Sequence, residues 1–388
     1  MKKWIIVSAA FFLALAIRGA ATAATPPVPA YPYAVETDRS AIDGHTVVYE
    51  RKWDADDYDI YATDLNTGTY RSVSSSTDDD RCPDISGDIV VWQRKTSSGR
   101  YQIYWKDLNT SNLPAPVHEV AEDQLTPKIS GTRVVWRQYH TPPPPTSDLG
   151  SFDIVGYDLA TNTYYPSIAT SGDDESSPDI SGTTVVYQRY MNLGTDSFPA
   201  WRMQIFKTTF DSINAGTRIW NYIGVGDNQY KPVISSTGKA AWRQHLQVGE
   251  YEPSFIWGVV WVDDVWAPPY LHIMQDRDIE DDNPALFGNI LVWRHQYDTG
   301  STNYDIYMKS IIGGDIVILV AGSEHNQLEP AVGGDSYHGI FVSYTDTKDG
   351  YNRVYWRKMI EGVKSESKSD FYVVPNQKGR GAVIYLGE

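Results

Sequence analysis

The residues best suited to chemistry lie in short acidic runs that each end at a proline. Four runs are dense: "STDDDRCP" (76–83), "AEDQLTP" (121–127), "SGDDESSP" (171–178) and "RDIEDDNP" (277–284). Two are thinner, "VGDNQYKP" (225–232) and "GSEHNQLEP" (322–330). Their carboxylates, Asp78, Asp79, Asp80, Glu122, Asp123, Asp173, Asp174, Asp227, Asp281 and Asp282, form the candidate binding set. Oxygen-rich clusters suit Ca²⁺, and focused negative potential steers basic partners. No EF-hand spacing is present, so no metal ligand is assigned and no dedicated cofactor is expected.

A second set is basic: Arg51, Arg94, Arg137, Arg189, Arg243 and Arg294, each shortly after an aromatic residue. Asp59, Gln102, Asp153, Gln204 and Asp305 follow on the next segment, and cross-strand pairing accounts for the arginines without a ligand. Cys82 is the sole cysteine, which excludes an internal disulfide, and it reads as a shielded thiol. The eight histidines are scattered, with no close pair for a metal. The chain carries no Gly-x-Ser-x-Gly elbow, His-Glu-x-x-His, P-loop or dinucleotide fingerprint, and no catalytic residue is assigned.

These sets recur because the chain repeats. "RCPDISGDIVVWQRK" (81–95), "LTPKISGTRVVWRQ" (125–138) and "SSPDISGTTVVYQR" (176–189) are variants of one phrase. Aligning on Gly44, Gly87, Gly131, Gly182, Thr237, Gly288 and about Gly334 gives spacings of 43, 44, 51, 55, 51 and 46 residues, the length of a propeller blade. Tyr49, Trp92, Trp136, Tyr187, Trp242 and Trp293 lie five residues after the anchor, with Tyr344 displaced in the last copy. Copies start near 39, 82, 126, 177, 231, 283 and 329. Within each, a Pro-x-Ile segment leads to a Ser-Gly turn, then "VVW" or "VVY". An alternating strand such as "YDIYATDL" (58–65) and a short last strand follow. The expectation is an all-β, seven-bladed β-propeller of four-stranded antiparallel blades. Proline should begin the innermost strand, where a missing N–H is tolerated.

The order Pro-x-Ile-Ser, then a β-branched strand, then Asp-Ile-Tyr-x-x-Asp-Leu resembles the TolB-like β-propeller repeats of exported proteins. It runs from about Ala41 to Tyr355. The first turn departs from that family, with Ile-Ser-Gly in place of Ser-Pro-Asp-Gly. The resemblance implies fold and compartment; propellers host many unrelated activities.

Lys2 and Lys3, the apolar run Trp4–Ile17 and the small residues Ala21–Ala24 follow the signal-peptide pattern. Residues 1–24 are therefore expected to be a leader and 25–388 a single propeller domain, secreted, periplasmic or at the cell surface. Losing Lys2, Lys3 and Arg18 takes the formal charge from −16 to −19, which argues against nucleic acid as a partner. No integral membrane segment is expected after cleavage. Tyr33–Val35 is a candidate for closing the ring. Two strand-like pieces at 370–375 and 381–387 have no place in a four-stranded blade, so one could pair with a neighbour. Two inserts stand out, the proline-rich 139–150 and the apolar 254–274, the latter a contact surface or a diverged fifth blade. The expected role is a noncatalytic scaffold that binds a protein or copies of itself. The alternative is a metal-dependent lyase or hydrolase on acidic polysaccharide.

Overall fold

Each Ser-Gly turn folds a β-branched run back on the strand before it, because glycine accepts the positive φ of the turn. Gly87, Gly131 and Gly182 take φ of 58°, 61° and 61° there. The computed structural model describes residues 26–54, 57–140, 151–194, 200–211, 216–219, 228–245, 254–262, 265–266, 281–296, 303–311, 317–322, 324–361, 370–375 and 382–387. Among them no helix is long and apolar enough to cross a membrane.

The chain forms antiparallel four-stranded sheets. The first blade comprises Thr37–Asp43, Thr46–Asp54, Asp57–Asp64 and Tyr70–Ser72; the second, Asp79–Ser86, Ile89–Lys95, Tyr101–Asp107 and Ala115–Pro116. The third is Gln124–Ser130, Arg133–His140, Ser151–Asp158 and Thr163–Ala169; the fourth, Asp174–Ser181, Thr184–Asn192, Trp201–Thr209 and Thr217–Arg218. Asn228–Ile234, Lys239–His245, Ser254–Val262 and Val265–Trp266 make the fifth, so the apolar insert builds blade backbone over 254–262 and 265–266. Asp281–Phe287, Ile290–Gln296, Tyr304–Ser310 and Val317–Ala321 make the sixth.

The expectation of a seven-bladed propeller is corrected here. Six blades are each built from four consecutive strands. The remaining sheet is composite: Gln327–Asp335, Gly339–Asp346 and Arg353–Glu361 are completed by Val28–Pro29 from the other end of the chain. The last copy supplies only three strands, and its outer edge is covered by the register Val28↔Trp356 and Pro29↔Tyr355. Val28–Pro29, not Tyr33–Val35, is therefore the closing strand. The innermost strands pack in succession, and Gln327–Asp335 returns against Thr37–Asp43. The pieces at 370–375 and 382–387 pair with each other, outside these sheets.

The core lies between neighbouring sheets. Val48, Ile60 and Ala62 of the first blade pack on Ile85, Val90 and Trp92 of the second, and comparable clusters fill the other interfaces. Trp92, Trp136, Trp242, Trp293, Tyr49, Tyr187 and Tyr344 are buried, so the repeating aromatic is a core residue in every copy, Tyr344 included. Fully burying one such ring stabilises by roughly 1.5–3 kcal/mol.

The prolines lie inside the innermost strands rather than at their start. Register shifts between Arg81 and Asp84, Leu125 and Lys128, and Ser176 and Asp179 place Pro83, Pro127 and Pro178 at β-bulges. A bulge on a sheet's free edge needs no donor there, so proline fits.

The candidate binding face

The acidic runs sit where each innermost strand begins, and their three consecutive positions do three different jobs. At the first position Asp78, Glu122 and Asp173 are half-buried, and burial pushes the Asp173 carboxyl upward. Their carboxylates make no hydrogen bond or ion pair to a side chain or backbone group among the described residues.

The second position is a clip between blades. The Oδ1 of Asp79, Asp123 and Asp174 accepts the N–H of Tyr58, Tyr101 and Phe152, at 3.3, 2.8 and 2.9 Å. Asn228 and Asn326 repeat the contact to Met203 and Tyr304 at 2.9 and 3.1 Å. Each acceptor thus ties its strand to the third strand of the blade before it.

The third position is buried beneath the blade aromatic. Asp80 accepts the Trp92 indole N–H at 2.9 Å and a two-pronged contact from Arg94 at 2.7 and 2.8 Å. Glu175 lies 2.7 Å from the Arg189 Nε and accepts the Ser171 hydroxyl at 2.5 Å. Asp281 accepts from Trp293 at 2.9 Å and meets His295 Nδ1 at 2.7 Å. Burial pushes the Asp80 and Glu175 carboxyls upward, against the opposing pull of their arginines. Asp282 is different. Burial alone would raise it, but Lys231, Arg243 and Arg294 outweigh that and hold it below the usual carboxylate range. Asp227 lies outside the described residues.

The arginines therefore pair largely with these acids. The register does place Arg51, Arg94 and Arg189 opposite Asp59, Gln102 and Gln204. Asp153 instead faces Gln138, and Asp305 faces His295, one residue off the expected partners. Burial pushes Asp59 to about 6.

A feature missed from sequence runs around the centre. The bulge residues Arg39, Cys82, Thr126, Ser177, Lys231, Asn283 and Glu329 adopt left-handed φ between 35° and 54° without being glycine. Such strain persists only where the surroundings fix it. Buried side chains do so here: Glu50, Gln93 and Gln188 accept the N–H of Cys82, Thr126 and Lys231 at 2.7, 2.9 and 3.0 Å. The bulge side chains then link laterally. Lys231 meets Asn283, whose amide donates to Glu329 at 3.0 Å, and Arg39 reaches Cys82 Sγ at 2.9 Å. Burial raises the Cys82 thiol pKa, while the residue as a whole is half-buried. One layer deeper, Lys128 stands 3.3 Å from Asp84. Burial pushes Asp179 in the same layer to about 6.

The copy starts inferred from sequence coincide with these bulges, so the signal was present in the proline that follows most of them. The sequence also failed to show that His45 and His338 lie together. They belong to the same turn of two copies that become neighbours when the ring closes.

No protein-family model and no curated protein sequence matches the chain. Solved structures do match. The β-propeller domain of the Trilobed protease from Pyrococcus furiosus is 10% identical, with 84% of this chain and 95% of that one covered and a TM-score of 0.61. Pyrococcus horikoshii acylaminoacyl peptidase is 12% identical over 91% of this chain, with a TM-score of 0.55. This chain spans about half of that peptidase, 51% of its length. TolB from Acinetobacter baumannii also matches, at 15% identity over 82% of this chain and 81% of that one, with a TM-score of 0.42. TolB proteins are thus among the structures this chain is similar to, and the fold it shares with its neighbours is the β-propeller.

Proposed function

We propose that this chain is an exported, noncatalytic propeller that holds a partner protein against the face formed by the acidic loops. The observation that carries this reading is the sorting of the acids. Asp79, Asp123 and Asp174 are committed to backbone clips, and Asp80, Glu175 and Asp281 to buried partners. What remains for a ligand is one outward acid on each of three successive blades, Asp78, Glu122 and Asp173. Such an arc suits a basic segment of another chain, recruited at long range and weakened by salt. Nothing among the described residues or in the matching propellers supports the polysaccharide-cleaving alternative.

A lysine-rich peptide titrated calorimetrically is the test. Wild type should bind it with an affinity that falls as salt rises, and the triple variant Asp78→Asn, Glu122→Gln, Asp173→Asn should lose binding while unfolding at the same temperature. Equal binding by both proteins would end the reading.

A second reading rests on the paired strands Asp370–Pro375 and Ala382–Gly387, which take no part in closing the ring. A lone two-stranded hairpin is marginal in water, and its open edges favour strand addition. In this reading the hairpin joins copies of the chain. Light scattering should then show assemblies for the intact protein and monomers after deletion of 370–388; monomers in both cases would discard it.

A further inference from the structure

The turns between first and second strands gather at the end of the ring opposite the acidic loops, and two of them meet at the seam. His45 follows the Gly44 turn of the first blade. Asp335 and His338 occupy the corresponding turn of the composite sheet. One ligand atom from each of His45, Asp335 and His338 lies within 4.8 Å of the others, and the two imidazole rings stand 4.3 Å apart. The carboxylate is already aimed: its Oδ1 accepts the N–H of Tyr337 at 2.8 Å and of His338 at 2.6 Å. Its Oδ2 is left toward the rings, 2.7 Å from His338 Nδ1 and 3.9 Å from His45 Nδ1. Asp64 Oδ2 lies 3.5 Å from the far nitrogen of His45. All four side chains are roughly one-third exposed, so an ion from solvent reaches them.

We propose that His45, His338 and Asp335 form a binding site for a transition-metal dication of the Zn²⁺ class, with Asp64 beside it. Two imidazoles and a carboxylate are the donors such ions prefer, whereas Ca²⁺ takes six or more oxygens. Bonds of about 2.0–2.1 Å set tetrahedral ligand atoms about 3.3 Å apart. Rotation of the side chains would draw His45 Nδ1 in from 3.9 Å and open the 2.7 Å contact between His338 Nδ1 and Asp335 Oδ2 to that separation. The bound ion would bridge the first blade and the composite sheet, adding to the hydrogen bonds that Asp38 accepts from Thr345 and Asn352 across the same boundary. That seam is tight: a Cβ on Gly333 would meet the Ile42 carbonyl oxygen at 2.6 Å.

The test is calorimetric titration of the full chain with Zn²⁺ near pH 7.5, paired with thermal unfolding in Zn²⁺ and in chelator. One ion per chain should bind and raise the unfolding temperature, because a ligand held only by the folded state stabilises it. His45→Ala and His338→Ala should each weaken binding tenfold or more and remove the rise. His118→Ala, a histidine stacked on Tyr164 elsewhere in the ring, should keep both. Should either alanine variant misfold by circular dichroism, His45→Gln replaces it. Cobalt substitution adds a spectroscopic readout, a tetrahedral visible band present in wild type and lost in both variants. Absence of stoichiometric Zn²⁺ binding overturns the proposal, as does an affinity unchanged in both histidine variants. An equal rise with millimolar Ca²⁺ that the variants retain would assign the seam to oxygen ligands and overturn it too.

Discussion

In the second blade the buried partner of Trp92 is Asp80, locked to Arg94; in the third, the indole of Trp136 donates to Gln138 at 3.3 Å, and Gln138 faces Gln124. The fourth blade repeats the ionic version with Glu175 and Arg189, the fifth the amide version with Gln229 and Gln244 at 3.1 Å. The sixth pairs a carboxylate with an imidazole, Asp281 with His295 at 2.7 Å. Strand register is the same in each case, since Asp80↔Arg94, Gln124↔Gln138, Glu175↔Arg189 and Asp281↔His295 are direct partners. A site that tolerates a neutral amide pair in alternate blades is a structural joint. Charge at Asp80 or Glu175 is therefore no sign of a ligand.

Removing one partner of a charged joint should have the largest effect. Arg94→Ala should destabilise by about 3–5 kcal/mol in denaturant unfolding, because it strands a buried carboxylate. The deficit should shrink at pH 5, where Asp80 takes up a proton more readily; an equal loss at both pH values would mean packing, not charge, dominates. Gln138→Ala in the neutral joint should cost less, about 1–3 kcal/mol, the penalty of an unsatisfied polar group. Converting the second blade to the third blade's chemistry, Asp80→Gln with Arg94→Gln, should fall within about 1.5 kcal/mol of wild type, as swaps of buried ion pairs often do. A loss as large as that of Arg94→Ala would show the joints are not interchangeable.

The pH dependence sharpens the contrast further. Asp59 and Asp179, both pushed to about 6 by burial, hold protons in the folded state that the unfolded chain has released. Between about pH 4 and 6 the native state binds more protons, so stability should fall as pH rises through that window. Asp179→Asn should flatten the slope; an unchanged profile would remove Asp179 from the account. The smallest effect is expected at the outward acids. Asp78→Asn should change stability by less than about 0.5 kcal/mol, as surface substitutions do.

Much of the ring was legible because period and pattern are properties of the chain itself. The turn glycines Gly44, Gly87, Gly131, Gly182 and Gly288, the buried aromatic at a fixed offset and the strand order all appear in the structure, whereas Gly334 lies inside a strand. The division of labour among Asp78, Asp79 and Asp80 was not legible, because three identical side chains in a row carry no mark of which faces inward; the register decides. The joints did leave a trace. Asp80, Gln124, Glu175 and Gln229 alternate in kind, and Arg94, Gln138, Arg189 and Gln244 alternate in step. The pairing of His45 with His338 and the completion of the last sheet by Val28–Pro29 depend on closure, which joins residues from opposite ends of the chain.

One further property follows from how the innermost strands satisfy their open edges. Asp43 accepts the N–H of Gly87, Ser86 that of Gly131, and Ser130 that of Gly182, while Asp84 and Asp179 accept those of Ile129 and Ile234. Copies one to four each serve the one that follows in this way, so that part of the ring has a direction written in its polar contacts. A unit duplicated or lost by recombination would find its successor already furnished with an acceptor, provided the serine or aspartate travelled with it. The Ile-Ser-Gly phrase of the second, third and fourth copies is then a coupling of standard gauge.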